Sequence, residues 1–355
     1  MAMRLSLRAH GVVMAVLVAF AATVGPTAAQ VHAVRVAVDP ALPACVPQPA
    51  APRADAGFVA PDGTVRIAVA DHARHIVERL NALYMRTHPG TRLRIEPLGA
   101  ASAVPALMFD RTLFGTVGAG IDAIEAVPLR KIAGEAPLGI RIAHSAAQAS
   151  GDVIASLAVY VHRSNPIERL SPQQVAQAFT LGHPQGDVSS WGQLGLPGQH
   201  GDWAMRPVHP VGAPEHTDAG DYLDRHHLQG RPFAVGYEAL DSDAAVLRRV
   251  AEDPSAIAIA PIGLASAGVR QLAIVAPDGS LSTGTREEIA DGRYPYARPI
   301  VFALRRTPGQ PPDPMAIEYL RLVLSAEGQQ IIASQPRGYV PLTAVQARAE
   351  LARLR

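Results

Sequence analysis

The sequence predicts an α/β fold, because buried strands and amphipathic helices alternate along it. Thr64–Ala70 is a short apolar run typical of a buried strand. Ile76–Tyr84 has apolar residues three or four positions apart, which is the spacing of one helix face. Arg92–Glu96 then alternates polar and apolar residues. A strand, a helix and a strand in this order predict two parallel strands joined by a crossover helix.

The same alternation continues to the end of the chain. The patterns predict strands at Val153–Val161, Pro207–Val211, Ala256–Pro261 and Pro299–Leu304, and helices at Tyr222–Leu228, Ile317–Leu324 and Glu327–Ala333. No internal repeat interrupts this order. The patterns therefore extend the α/β prediction to the whole body of the chain.

The segment from Ser164 to Gly195 has the densest set of local signals. Asn165-Pro166 ends a strand, since a residue before proline avoids helical backbone. In Ser171–Gln174, serine is the predicted N-cap, proline the first helical residue and Gln174 the capping-box partner. Val175, Ala178 and Phe179 follow on one apolar face. These signals predict a helix that begins at a defined residue.

The N-terminus has the pattern of an export signal. Arg4 and Arg8 precede the apolar stretch Gly11–Val24, and Thr27–Ala29 provides small residues for cleavage. Residues 1–29 are therefore predicted to be a signal peptide, with an uncleaved anchor as the alternative, and the mature chain is expected in the periplasm without stable membrane insertion. Residues 30–62, rich in proline and alanine, are predicted to be a linker or a loosely packed leader.

Composition excludes several classes of protein. The 355 residues carry a formal net charge of +1, which provides no general attraction to nucleic acid or to an acidic membrane surface. Cys45 is the single cysteine, so an internal disulfide is impossible. Leu42–Cys45 has some likeness to a lipoprotein cleavage box, but it lies far beyond the apolar stretch; a free or intermolecular thiol is the preferred interpretation. The sequence predicts no cofactor.

The Ser164–Gly195 segment resembles the phosphate-binding family of periplasmic ABC-transporter receptors. The resemblance continues in Arg293–Pro299, Leu324–Ile332 and Gly338–Leu342, and it spans about Thr64 to Leu342. It implies a two-lobed type II periplasmic-binding fold, in which a two-strand hinge joins the lobes. The implied division is lobe 1 over 63–157, lobe 2 over 158–272 and the rest of lobe 1 over 273–355, with hinge residues near Ser156–Tyr160 and Gln271–Val275.

The same resemblance implies four ligand-binding residues: Asp71, Ser102, Thr217 and Arg298. Hydroxyls, helix N-termini and one arginine are the groups that hold a dianion. Most of the family's anion-binding residues are replaced here, since Gly118–Gly120 has no Ser-Arg pair and Asp218 places a carboxylate where an anion should lie. Helix caps for Asp71, Ser102 and Thr217, and a structural ion pair for Arg298, are the alternative interpretations.

Two further interpretations concern single side chains. His72 and His75 have a spacing that suits a metal ion, but no third ligand accompanies them, so no metal site is predicted. Trp191 is predicted to pack in a core beside the helix that ends at Phe179, with stacking on a ligand as the alternative.

Three functions remain open on the sequence alone. The first is a periplasmic solute-binding protein for phosphate or another small solute, with an ABC permease as its partner. The second is an exported interaction protein that keeps the fold without the phosphate site. The third, an enzyme, is not predicted, because the chain has no Gly-x-Ser-x-Gly elbow, no His-Glu-x-x-His and no Walker loop.

Overall fold

The computed structural model describes residues 37–97, 102–118, 121, 123–151, 153–196, 201–334 and 338–355. The predicted signal peptide, residues 1–29, lies outside the described residues. Within the described ranges, no helix combines the length and apolar character needed to cross a membrane.

The strands and helices follow one another as the sequence patterns indicate. The strands are β1 Val65–Val69, β2 Leu93–Pro97, β3 Gly115–Val117, β4 Leu138–His144, β5 Leu157–His162, β6 Arg169–Leu170, β7 His209–Gly212, β8 Glu238–Ala239, β9 Ala256–Pro261, β10 Val269–Gln271, β11 Ala273–Val275, β12 Leu281–Ser282 and β13 Pro299–Leu304. The helices are α1 Asp71–Thr87, α2 Ala103–Met108, α3 Ala123–Ala133, α4 Pro172–Phe179, α5 Asp202–Met205, α6 Asp218–His227, α7 Asp243–Glu252, α8 Arg286–Ala290, α9 Pro314–Val323, α10 Ala326–Ala333 and α11 Ala344–Ala352.

The first sheet has the strand order β2-β1-β3-β13-β4. β1 pairs in parallel with both β2 and β3, which confirms the predicted strand–helix–strand unit. β13 returns from the far end of the chain and pairs antiparallel with β3 and β4, so the sheet is mixed rather than wholly parallel. Helices α1 and α9 pack against this sheet through a core that includes Ile76, Phe302 and Tyr319. This sheet and its helices form lobe 1.

The second sheet has the strand order β10-β5-β9-β7-β8. β7 pairs in parallel with β8 and β9, and β5 pairs antiparallel with β9. A small third sheet, β12-β11-β6, adjoins it. A separate core covers both sheets, and Phe179, Trp191 and Val211 are among its fully buried members. These elements form lobe 2, and the predicted α/β fold with two lobes is confirmed.

The chain passes twice between the two sheets. The first passage lies between His144 and Leu157, next to the predicted hinge at Ser156–Tyr160. The second lies between Tyr296 and Pro299, because residues through Tyr296 still pack in the core of lobe 2. The predicted boundary at residues 272/273 therefore falls inside the lobe 2 core, where β10 and β11 follow each other closely. We propose residues 64–144 and 299–355 as lobe 1 and residues 157–296 as lobe 2.

The Ser164–Gly195 segment folds as its local signals predict. α4 begins after Ser171, which accepts a hydrogen bond from the Gln174 backbone N–H while the Gln174 side chain accepts one from the Ser171 N–H. Val175 and Phe179 are buried, and Trp191 is fully buried within the lobe 2 core. The prediction that Trp191 packs in the core is confirmed.

The proline-rich leader contacts lobe 1 over residues 39–58. One backbone group and one side chain of the leader accept hydrogen bonds from the first residues of two helices: Pro43 O accepts from the Ala326 N–H at 2.8 Å, and Asp39 Oδ2 accepts from the Ala344 N–H at 2.8 Å. Phe58 is buried in the lobe 1 core. The leader has no helix or strand over 39–57, as its composition indicates, but these contacts fix it to the lobe.

Candidate functional site

Helix α6 begins at the edge of lobe 2 with a hydroxyl cap. The Thr217 hydroxyl accepts a hydrogen bond from the Gly220 backbone N–H at 3.2 Å and donates one to Pro214 O at 2.7 Å. The Thr217 side chain is therefore the N-cap of α6, as the cap interpretation predicted. The positive end of the α6 helix dipole lies at this N-terminus, beside Thr217.

Asp218, the first residue of α6, forms an ion pair with Arg298. Asp218 Oδ2 lies 2.6 Å from Arg298 Nη2. The carboxylate side chain is 67% exposed, whereas the guanidinium side chain is 4% exposed, so only one partner of the pair is open to solvent. A carboxylate at a helix N-terminus also has a favourable interaction with the helix dipole. The sequence interpretation of Asp218 as a carboxylate in an anion position agrees with this geometry.

Arg298 is held in place from several sides. Its backbone N–H donates to Ser145 Oγ at 2.8 Å, and Ser145 Oγ lies 2.8 Å from Ser156 Oγ. The guanidinium carbon lies 4.6 Å from the centre of the Tyr222 ring, within the range of a cation–π contact. Burial raises the pKa of Tyr222 to about 12, so its hydroxyl remains a neutral donor. Arg298 is thus a rigid cation at the second passage between the lobes.

Lobe 1 approaches this ion pair through Gly118, which follows β3. A Cβ atom at Gly118 would lie 3.4 Å from Asp218 Oδ1 and 3.8 Å from Arg298 Nη2. The same position would be 2.9 Å from Ile154 Cδ1, so the end of the Ile154 side chain would have to shift to admit a side chain here. The Asp218–Arg298 pair therefore lies where lobe 2 meets lobe 1, in the region where the resemblance places the ligand cleft.

His72 and Tyr339 complete the lobe 1 side of the site. The Tyr339 hydroxyl donates to His72 O at 3.0 Å and accepts from the Ile154 N–H at 3.4 Å. Burial lowers the pKa of His72 to about 4, although the Asp218 carboxylate opposes this shift. Burial raises the pKa of Tyr339 above its ordinary value. Both side chains are therefore neutral near pH 7, and the charges at the site are those of Asp218 and Arg298.

The other two predicted site residues have different surroundings. Asp71 is the first residue of α1, its side chain is 71% exposed, and its carboxylate lies 3.1 Å from Arg74 Nη2. Ala70, not Asp71, is the N-cap of α1, so the cap interpretation of Asp71 was wrong. Ser102 precedes α2 but makes no side-chain cap hydrogen bond. The ligand roles of Asp71 and Ser102 stay predictions.

The geometry brings together Thr217, Arg298 and three side chains that sequence reasoning did not assign to the site. These three are His72, Tyr222 and Tyr339. Tyr339 lies in the Gly338–Leu342 motif, which was the available signal for it. On the sequence alone, His72 was considered as a metal ligand and, with Asp71, as an acid–base pair, but not as a residue of this site. Among the described residues, no group of three or more His, Cys, Asp or Glu side chains has an arrangement that would hold a metal ion.

Comparisons with known proteins show what the chain is similar to. No family model matches the chain. The chain is 29% identical over 265 residues to the phosphate-binding protein PstS from two strains of Pseudomonas aeruginosa, an alignment that covers 74% of this chain and 77% of the relative.

Solved structures agree on the fold. A crystal structure of PstS from Borrelia burgdorferi matches with a TM-score of 0.54 at 14% identity, covering 78% of this chain and 99% of that one. An ABC-type phosphate transport receptor from Vibrio cholerae matches with a TM-score of 0.52 at 16% identity, covering 78% and 99%. At these identities the likeness establishes the two-lobed fold. The sequence relative and the Ser164–Gly195 motif agree with the resemblance of this chain to the phosphate-binding proteins of ABC transporters.

Proposed function

We propose that the chain is a periplasmic solute-binding protein of the phosphate-receptor type, which takes phosphate or another small solute between its lobes. The observation that supports this most is Arg298, a nearly inaccessible guanidinium held at the meeting point of the lobes. A guanidinium in such a position offers a charged, directional contact to an oxyanion or a carboxylate. The relatives are named as binding proteins and receptors, which supports binding rather than catalysis.

The neutral groups around Arg298 support a small polar solute. Three further groups lie in the region where the two lobes meet, namely the Tyr339 hydroxyl, the His72 ring and the N-terminus of α6. These groups donate or accept hydrogen bonds without adding charge near pH 7. By family analogy, the bound solute would be passed to an ABC permease, and the export signal would place the protein in the periplasm.

One observation favours a second function. Asp218 already neutralises Arg298, so the site has no net charge to offer a dianion. An exported interaction protein that keeps the two-lobed fold without the solute would show this arrangement too. The two functions differ in whether any small solute binds with useful affinity.

Isothermal titration of the mature chain tests the proposal. The panel should contain phosphate, sulfate, molybdate, short carboxylates and neutral amino acids, each with a matched titration into buffer. We expect one solute to bind with micromolar affinity or tighter. An Arg298→Met variant should lose that binding, since methionine has a similar length without the charge. No heat from any solute, in a sample that melts cooperatively, would favour the interaction protein instead.

A further inference from the structure

Two features around the Asp218 carboxylate are those that would surround a bound anion. This carboxylate lies 2.6 Å from the buried Arg298 guanidinium and begins helix α6, where the N-terminal dipole favours negative charge. It differs from a free anion in being attached to the chain. Its Oδ1 is also close to the lobe 1 backbone, 3.4 Å from where a Cβ of Gly118 would lie.

Arg298 has an incomplete set of partners in this arrangement. Within the part of the chain that the structure describes, its buried Nε atom has no hydrogen-bond partner. A guanidinium has five N–H donors, and burial of an unpaired charged donor is unfavourable. Asp218 therefore supplies a counter-charge for Arg298 without satisfying all of its donors.

We propose that Asp218 is an internal anion that sets the specificity of this site against free divalent oxyanions. The inference rests on the proposed function, because it places that function's solute at the same pair. A phosphate or sulfate at Arg298 would have to displace the Asp218 carboxylate or lie beside it. Like charges placed together in this way repel each other, so the wild-type site disfavours both ions.

Removal of the Asp218 carboxylate should create a site that binds oxyanions. Without the carboxylate, Arg298 would be a buried cation that has lost its counter-ion, and the α6 dipole would face the same space. Both features stabilise a small anion. The pair is thus a specificity device in which one exposed side chain decides whether a buried arginine is available.

The test compares Asp218→Asn with Asp221→Asn. Asp221 lies on the same helix, is 45% exposed and pairs with Arg225, so its loss removes an equal charge without touching Arg298. Titration with inorganic phosphate and with sulfate at constant ionic strength measures the effect. We expect Asp218→Asn to raise the affinity for at least one of these ions by about tenfold or more over wild type, and Asp221→Asn to leave it within about twofold.

The outcomes separate this inference from the proposed function. If wild type already binds phosphate as tightly as Asp218→Asn, the inference fails and solute binding stands. If only Asp218→Asn binds and no panel solute binds wild type, the inference stands and solute binding by the natural chain fails. If the affinity of Asp218→Asn is no higher than that of Asp221→Asn, the inference is overturned. An Asp218→Ser variant repeats the comparison with a smaller side chain, and failure of both variants to fold would show that the fold needs the carboxylate, which also overturns the inference.

Discussion

Two helix N-termini in lobe 2 are capped in the same way and serve different purposes. Ser171 caps α4 and Thr217 caps α6, and each hydroxyl accepts a hydrogen bond from the backbone N–H of the third residue of its helix. In α4 the third residue is Gln174, whose Oε1 accepts a hydrogen bond from the Ser171 N–H and whose Nε2 donates one to Leu194 O at 3.0 Å. In α6 the third residue is Gly220, and the charged neighbour Asp218 binds Arg298.

The difference separates two features of a helix start. The hydroxyl cap has a structural purpose, whereas the residue that follows it can change with function. The side-chain contacts at the start of α4, which join Ser171, Gln174 and Leu194, all lie within lobe 2, so they stabilise the fold of that lobe. The start of α6 has the same hydroxyl cap, but its first residue pairs with Arg298 at the second passage between the lobes. A cap alone therefore does not indicate a binding site. The indication comes from the residue, distant in sequence, with which the first charged residue of the helix pairs.

The largest effect is expected from Gly220→Ala at the third position of α6. A Cβ atom there would lie 2.2 Å from Pro214 O and 2.9 Å from the Pro214 carbonyl carbon, and backbone atoms cannot move away cheaply. We expect the free energy of unfolding to fall by about 3 kcal/mol. Urea denaturation measures it.

Gln174→Ala at the same position of α4 is the matched control for Gly220→Ala. It removes the capping-box hydrogen bond without a clash, so we expect a loss of about 1 kcal/mol. Equal losses at the two positions would contradict the steric argument for α6.

The next largest effect is a decrease in the free energy of unfolding in acid, which comes from His227 at the C-terminal end of α6. Burial lowers the pKa of His227 to about 4, whereas the ordinary histidine value is 6.5. The folded state therefore favours the neutral ring, and this contribution is fully present above pH 6.5 and is lost as the pH falls towards 4. Its size is at most about 3 kcal/mol. His72 and His144 act in the same direction.

His227→Gln should therefore flatten the dependence of unfolding free energy on pH between 6.5 and 4. Helix α4 has no titratable side chain and so makes no such contribution. His216→Gln changes an exposed histidine and serves as the control. A slope that is unchanged in His227→Gln but reduced in His216→Gln would refute the assignment to the buried ring.

The smallest effects are expected from removal of the caps themselves. Ser171→Ala and Thr217→Ala should each lower the unfolding free energy by about 1 kcal/mol, since each leaves one backbone N–H without its acceptor. Only Thr217→Ala should also change the affinity for the solute, because Thr217 immediately precedes Asp218. Titration of both variants with the solute that binds wild type checks this. A change in affinity in Ser171→Ala would remove the distinction between the two helix starts.

Local rules predicted much of the fold correctly. The capping box at Ser171 and Gln174, the strand at Ala256–Pro261 and the strand at Pro299–Leu304 depend on near neighbours or on residue alternation, and all three are present. The second lobe boundary, predicted at 272/273, stays a prediction, and the boundary between Tyr296 and Pro299 is our proposal. Periodicity cannot tell whether residues such as Tyr294 and Tyr296 pack in one core or in the other.

The candidate site was only partly predictable. Thr217 and Arg298 came from the family resemblance, and the Asp218 carboxylate was noted as out of place. The N-cap of α1 was assigned one residue late, because Ala70 has the extended backbone of a cap but no side chain that could signal it. His72 and Tyr222 carry no local signal for this site, since neither the spacing nor the neighbours of these residues refer to Arg298.

The sequence by itself determined the α/β class, the start of α4 and the resemblance to a family of binding proteins, because these depend on residue type, short-range spacing and motif. Only the tertiary structure decided that Asp218 meets Arg298, 80 residues later in the chain. Such a contact depends on how two sheets with separate cores are joined. A cap or a hydrophobic period describes one helix or strand alone. An ion pair between the edge of lobe 2 and the passage to lobe 1 depends on the positions that the tertiary structure gives to both of these parts.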